Sequence, residues 1–112
     1  MLKKENRLIK KKDFDQVFEK GKSSFNKLLG IKAVDNKFSF SRFGIIVSTK
    51  ISKKAVERNK IKRRIRDVIQ KDLENIEIGK DVVIITLPEI KNKEYEEIDR
   101  AIKSGLKKLK LL

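Results

Sequence analysis

The sequence predicts an α+β domain: a mixed sheet of about four strands packed with three helices in two layers, in the order α-β-β-(β)-α-β-α. Three observations lead there. Apolar residues recur at helical spacing in three segments, near residues 12–20, 53–73 and from 92 onward. Short apolar runs rich in β-branched and aromatic residues lie between them, at residues 28–34, 38–49 and 82–87. Finally, 112 residues with 38% hydrophobic content suit a single domain, 1–112, with one small core.

The first eleven or so residues read as a flexible basic arm, with Lys3, Lys4, Arg7, Lys10 and Lys11 against Glu5. A first helix follows over residues 12–20. Asp13 and Gln16 have the spacing of a capping box, Phe14, Val17 and Phe18 share a face, and Gly21 supplies a stop. Residues 28–34 form a strand, and Asp35-Asn36-Lys37 the turn after it. Residues 38–49 begin with alternation and end as a continuous apolar run, which makes one long strand or two short ones. The run VVIITL at residues 82–87 is apolar on both faces and stops at Pro88, as a central, doubly covered strand would. It should run parallel to the strand at 43–49, joined through the second helix. In the last helix Tyr95, Ile98, Ile102, Leu106 and Leu109 recur at spacings of three and four. Its acids come first and its lysines last, which complements the helix dipole.

The charge is the chain's most unusual property. Charged residues make up 41%, and the net charge is +14. Such an excess opposes compaction by self-repulsion unless a polyanion neutralises it, and nucleic acid is the first candidate, an anionic membrane the second. There is no Cys and no His, so disulfides, thiolate metal sites and imidazole catalysis are excluded. No apolar run is long enough for a signal sequence or a bilayer span, so a soluble cytoplasmic protein is expected. The acids gather on the last helix and around residues 72–77 in no metal-holding or catalytic constellation.

Residues 55–66 read AVERNKIKRRIR, with six Lys or Arg against one acid. At 3.6 residues per turn, Ile61, Ile65, Val68, Ile69 and Leu73 fall in an arc from about −20° to 120°. Asn59, Lys62, Arg63 and Arg66 form a stripe beside it, between about 100° and 200°, while Lys60 and Arg64 take the other flank. Arg58 falls in the apolar arc at the helix start and should emerge at the sheet's edge, because a lone buried charge is costly. An ordinary amphipathic helix with a solvated basic face would carry charge of both signs; one sign in a stripe suits phosphate binding, and the arginines suit structured phosphate geometry.

RFGIIVSTK at residues 42–50 followed by AVERNKIKRRIR resembles the bacterial ribonuclease P protein component, and NRLIKKKDFDQVFEKG at residues 6–21 is similar to that family's start. The resemblance covers nearly the whole chain, and Arg58-Asn59-x-x-Lys62-Arg63-x-x-Arg66 is its most specific part. It implies a subunit of an endonuclease that removes the 5′ leader of precursor tRNA, with the active site and its Mg²⁺ in a partner RNA. It further implies that Arg58, Asn59, Lys60, Lys62, Arg63 and Arg66 face the catalytic RNA. A cleft formed with Phe14, Phe18, Ser48, Lys50 and Arg58 would hold the single-stranded leader. By spacing alone, Phe14 and Phe18 read first as core residues that hold the first helix to the sheet, and the hydroxyls near Ser48 as strand-end hydrogen-bond formers; the resemblance puts the leader role of the two rings level with the core one. The expected partners are the ribonuclease P RNA and precursor tRNA, with neither DNA nor membrane, and the protein monomeric in the complex. A left-handed strand–helix–strand crossover is also implied, against the usual right-handed rule.

Two positions depart from the family pattern. Lys60 stands where a second Arg is usual, which replaces a forked donor with a point charge. ISKK at residues 51–54 stands where the family often has Gly, so Ser52 or Lys53 would be strained if that turn needs a positive φ. A ribosomal protein or RNA chaperone on a similar small α+β domain is the alternative reading. A helix-turn-helix DNA binder fits less well, since the basic helix lies between strands.

Overall fold

The structure, a computed structural model, describes residues 2–112. The chain folds as helix α1 (Lys11–Lys20), strands β1 (Lys22–Phe25), β2 (Leu29–Asp35) and β3 (Arg42–Ile46), helix α2 (Ala55–Asp72), strand β4 (Lys80–Thr86) and helix α3 (Tyr95–Lys108). The sheet order is β1-β2-β4-β3. β4 is therefore central, as its doubly apolar run requires, and it pairs antiparallel with β2 and parallel with β3.

The pleat sorts side chains into two faces. Ile31, Ala33, Phe43, Val82 and Ile84 pack with Ile61, Ile65, Val68 and Ile69 of α2 and with Ile98, Ile102 and Leu106 of α3. Each fully buried aliphatic contributes roughly 1.5–3 kcal/mol relative to exposure. This packing holds α2 in place without help from a cap, for Lys54 makes no side-chain capping bond. On the opposite face Val17 of α1 packs on Val83, with Phe14, Val34, Ile46 and Ile85 around them. The helices thus divide two and one, where a plain two-layer packing was expected, and the second face is only partly covered.

Several local expectations are corrected by long-range partners. Asp13 makes no capping box: Lys10 is the N-cap of α1, without a side-chain bond. The Asp13 carboxylate instead accepts from Arg42 at 3.3 Å. The alternation of Phe38 and Phe40 is not a strand, since β3 begins only at Arg42. Asn36 shapes that segment into a turn, accepting from the Phe38 N–H and donating to the Phe40 carbonyl and to Asp81. The two rings then stack at 5.1 Å. Gly79 has φ +75° just before β4, and its carbonyl accepts the Asn36 N–H at 2.8 Å. The strain considered at Ser52 or Lys53 is absent, because Asn92 and Lys110 are the positive-φ non-glycine residues among those described.

The basic arm is not a trailing tail over its described part; Met1, its first residue, lies outside the described residues. Leu2 and Leu8 are 2% and 5% exposed. Arg7 bridges to Phe43, and the Leu8 N–H donates to the Phe43 carbonyl at 2.9 Å. The segment caps the outer edge of β3, which would otherwise offer unpaired backbone groups. No helix among the described residues is long and apolar enough to cross a membrane.

Candidate nucleic-acid interface

Two surfaces meet where β3 ends and α2 begins. The first is the outer flank of α2. Ile61, Ile65, Val68 and Ile69 are all buried, so the helix is rotated as its periodicity predicts. Asn59 and Arg63 are exposed, and Arg58, Lys62 and Arg66 are half-buried. Among the described residues no carboxylate lies within salt-bridge distance of Arg58, Lys60, Lys62, Arg63 or Arg66. Arg58 donates to the Ser52 carbonyl at 3.0 Å, which ties its guanidinium to the loop entering α2. Asn59, Arg63 and Arg66 line a shallow cavity of about 370 Å³ together with Asp67.

Lys60 stands apart from this stripe. It borders a cavity with Glu57, Arg64, Lys91 and Asn92, on the side where α3 begins. There Arg64 donates to the Lys93 carbonyl at 2.9 Å, and Lys71 donates to Asp99 at 3.1 Å. The Asp99 hydrogen bond holds the Lys71 ammonium above its ordinary pKa. Arg42 is likewise engaged within the fold, on Asp81 and Asp13, and the Asp81 hydrogen bond raises its pKa. On α2 the fold therefore separates Arg64 and Lys71, which have partners on the α3 side, from Lys62, Arg63 and Arg66, which form no ion pair among the described residues.

The second surface is the uncovered part of the sheet's α1 face. Phe25, Gly30, Ile85 and Ile46 form one row across all four strands. α1 lies over the next row, which runs Ser23, Lys32, Val83, Gly44. Phe14 sits directly on Gly44, where a Cβ would come within 2.5 Å of its ring. Phe18 is 38% exposed, with the Lys32 ammonium 5.6 Å from its ring centroid. Phe14 and Phe18 thus wall a groove floored by Ile46 and Ile85. Its far rim is the exposed segment Ser48, Thr49 and Lys50, which continues directly from β3 towards Arg58. The Thr86 hydroxyl, donating to the Ile46 carbonyl at 2.8 Å, fastens that end of the sheet.

The periodicity of the sequence identifies the α2 stripe and both α1 aromatics. It does not find β1, because Lys22-Ser23-Ser24-Phe25 has neither alternation nor an apolar run. It therefore also misses Phe25, which is 49% exposed on the groove floor. Of the other aromatics, Phe43 is core, and Phe38 stacks on Phe40 with Arg42 over its ring at 4.8 Å.

The geometry suits a polyanion with unpaired bases: unpaired cations for phosphates, exposed aromatics for bases, and hydroxyls between them. Comparisons with known proteins identify relatives of the chain. A family model described as Ribonuclease P matches residues 2–110. The ribonuclease P protein component of Alkaliphilus metalliredigens is 36% identical over 107 residues, covering 96% of each chain. That of Clostridium botulinum is 38% identical over 106 residues, covering 94% of this chain and 95% of its own. The solved Staphylococcus aureus RNase P protein superposes with a TM-score of 0.88 at 33% identity, covering 95% of this chain and 96% of that one. On fold, cationic stripe and relatives together, the chain belongs to the ribonuclease P protein family.

Proposed function

We propose that the outer flank of α2 docks on the ribonuclease P RNA while the groove beside α1 holds the 5′ leader of precursor tRNA. Family membership makes the chain a subunit of the tRNA-processing ribonuclease; the division of labour between its two surfaces is the present reading. Lys62, Arg63 and Arg66 neutralise phosphates of the catalytic RNA. Arg58, fixed on Ser52, stands between that RNA and the leader. Phe14 and Phe18 offer ring faces to leader bases, and Ser48 and Lys50 contact its backbone.

The phosphodiester cleavage itself is assigned to the RNA. Hydrolysis of this kind uses metal ions to stabilise the attacking and leaving oxygens. Among the described residues no cluster of three or more His, Cys, Asp or Glu side chains could hold such an ion. The protein's donor set therefore does not fit a resident metal centre, and Mg²⁺ is assigned to the RNA. What this chain supplies is position: it holds two RNA segments in fixed relation and screens their mutual repulsion.

The observation that carries this reading is the unpaired stripe of Lys62, Arg63 and Arg66 beside an open groove. The test adds the chain to a bacterial ribonuclease P RNA at low Mg²⁺ and follows leader release. Stimulated cleavage is expected, with none by the protein alone. A ribosomal protein or general RNA chaperone would leave cleavage at the level of the RNA alone, and that result would overturn the proposal.

A further inference from the structure

Phe25 has no part in the core, yet its ring is held in place. It pairs directly across the strands with Gly30. Its ring lies so close over Gly30 that a Cβ there would overlap three ring atoms. Gly30 itself is buried beneath it, while Phe25 remains 49% exposed. The ring is thus ordered before any ligand arrives, and stacking on it would cost little conformational entropy. No helix covers its row, because α1 lies over the neighbouring one. One step along β2 on the same face is Lys32, whose ammonium also donates to the Phe18 carbonyl at 3.5 Å.

An ordered, exposed aromatic face at the open end of an apolar floor is the arrangement that receives a base of single-stranded nucleic acid. We infer that the Phe25–Gly30 pair is a second stacking platform, taking one unpaired nucleobase of the leader beyond those met by Phe14 and Phe18. This rests on the leader assignment above and extends it. The floor crosses four strands from Ile46 to Phe25, about 14 Å at ordinary strand spacing. A leader entering at the Ser48–Lys50 rim reaches Phe25 last. Short leaders should therefore not engage it, and Phe25 should set how far affinity keeps rising with leader length.

A purely structural role is the competing explanation, since an aromatic ring over a cross-strand glycine shields the backbone. That role needs an apolar cover but not an open ring face. The test measures affinity of the reconstituted holoenzyme for precursor tRNAs whose leaders grow one nucleotide at a time. Phe25→Leu keeps the cover and Phe25→Tyr keeps the ring. Phe25→Leu should match the unsubstituted protein for short leaders and fall about tenfold behind once the leader reaches β1. Phe25→Tyr should follow the unsubstituted protein throughout. An abasic nucleotide at the divergent position should cost the unsubstituted protein the same factor and cost Phe25→Leu nothing. The abasic scan on the unsubstituted protein alone also decides the matter should Phe25→Leu fail to fold.

Equal loss at every leader length, mature tRNA included, would reduce Phe25 to a structural cover and overturn the platform. So would a leader dependence lost with Phe18→Ala but untouched by Phe25→Leu, and in that case the leader groove itself would stand. If affinity does not depend on leader length at all, both readings fall.

Discussion

The two flanks of α2 carry the same residue types and meet opposite fates. Towards α3, Arg64 donates to the Lys93 carbonyl and Lys71 to Asp99, with the Tyr95 ring 5.3 Å from the Lys71 ammonium. Away from α3, Lys62, Arg63 and Arg66 form no ion pair among the described residues, although Asp67 borders the same cavity as Arg63 and Arg66. One flank holds two helices together; the other presents charge that no ion pair within the described fold neutralises. Cations left without partners in a chain of net charge +14 are destabilising until a polyanion arrives.

The sharpest way to break this comparison is to remove the outer flank. Replacing Lys62, Arg63 and Arg66 together by Ala should lower affinity for ribonuclease P RNA roughly 100-fold near 0.1 M salt. Thermal unfolding should shift little, because none of the three makes an ion pair among the described residues and substitutions at surface positions without such partners change stability by only about 0.5 kcal/mol. A matching loss of stability would mean that the flank is structural after all. Next in size is the groove. Phe18→Ala should weaken precursor tRNA binding by about tenfold, the worth of one stacked base, and leave mature tRNA unaffected. Equal losses for both substrates would place Phe18 outside the leader site.

The inner flank should respond in the opposite currency. Arg64→Ala removes a charged hydrogen bond to the Lys93 carbonyl and should destabilise the fold by about 1–2 kcal/mol. Its RNA affinity, measured at a temperature where the protein stays folded, should change far less than that of the outer-flank variant. The smallest effect is expected at Lys60, which lies on the inner side. Lys60→Arg restores the forked donor usual in the family, yet should raise RNA affinity by only about threefold or less. A larger gain in a binding titration would show that the RNA wraps further round α2 than the outer flank.

How much of this was visible in the sequence depends on the range of the forces involved. The rotation of α2 was legible because Ile61, Ile65, Val68 and Ile69 record their burial at a local period. The parallel placement of β3 beside β4 and the stop of α1 at Gly21 were legible for similar reasons. Distant partners overrode local signals elsewhere. Asp13 has the spacing of a cap but is claimed by Arg42, 29 residues away. Phe38 and Phe40 alternate like a strand, but the Asn36 side chain bends their backbone into a turn. The N-terminal segment reads as a charged arm because Leu2 and the Leu8-Ile9 pair are few among its lysines, and only the β3 edge gives Leu2 and Leu8 somewhere to bury.

The candidate site divides in the same way. Its cations and the α1 aromatics were readable from helical spacing, whereas Phe25 needed the β1–β2 register that places it over Gly30. The engagement of Arg64 with Lys93 also lay beyond reach, since it joins residues 29 apart through a turn with a positive-φ Asn92.

The central claim is tested most directly by the salt dependence of RNA binding, compared between the unsubstituted chain and the Lys62, Arg63, Arg66 triple variant. If that flank neutralises phosphates, the plot of log affinity against log salt should be shallower in the variant by about 2–3 units, one counterion or slightly less per lost contact. Parallel lines, with affinity merely offset or unchanged, would contradict the account.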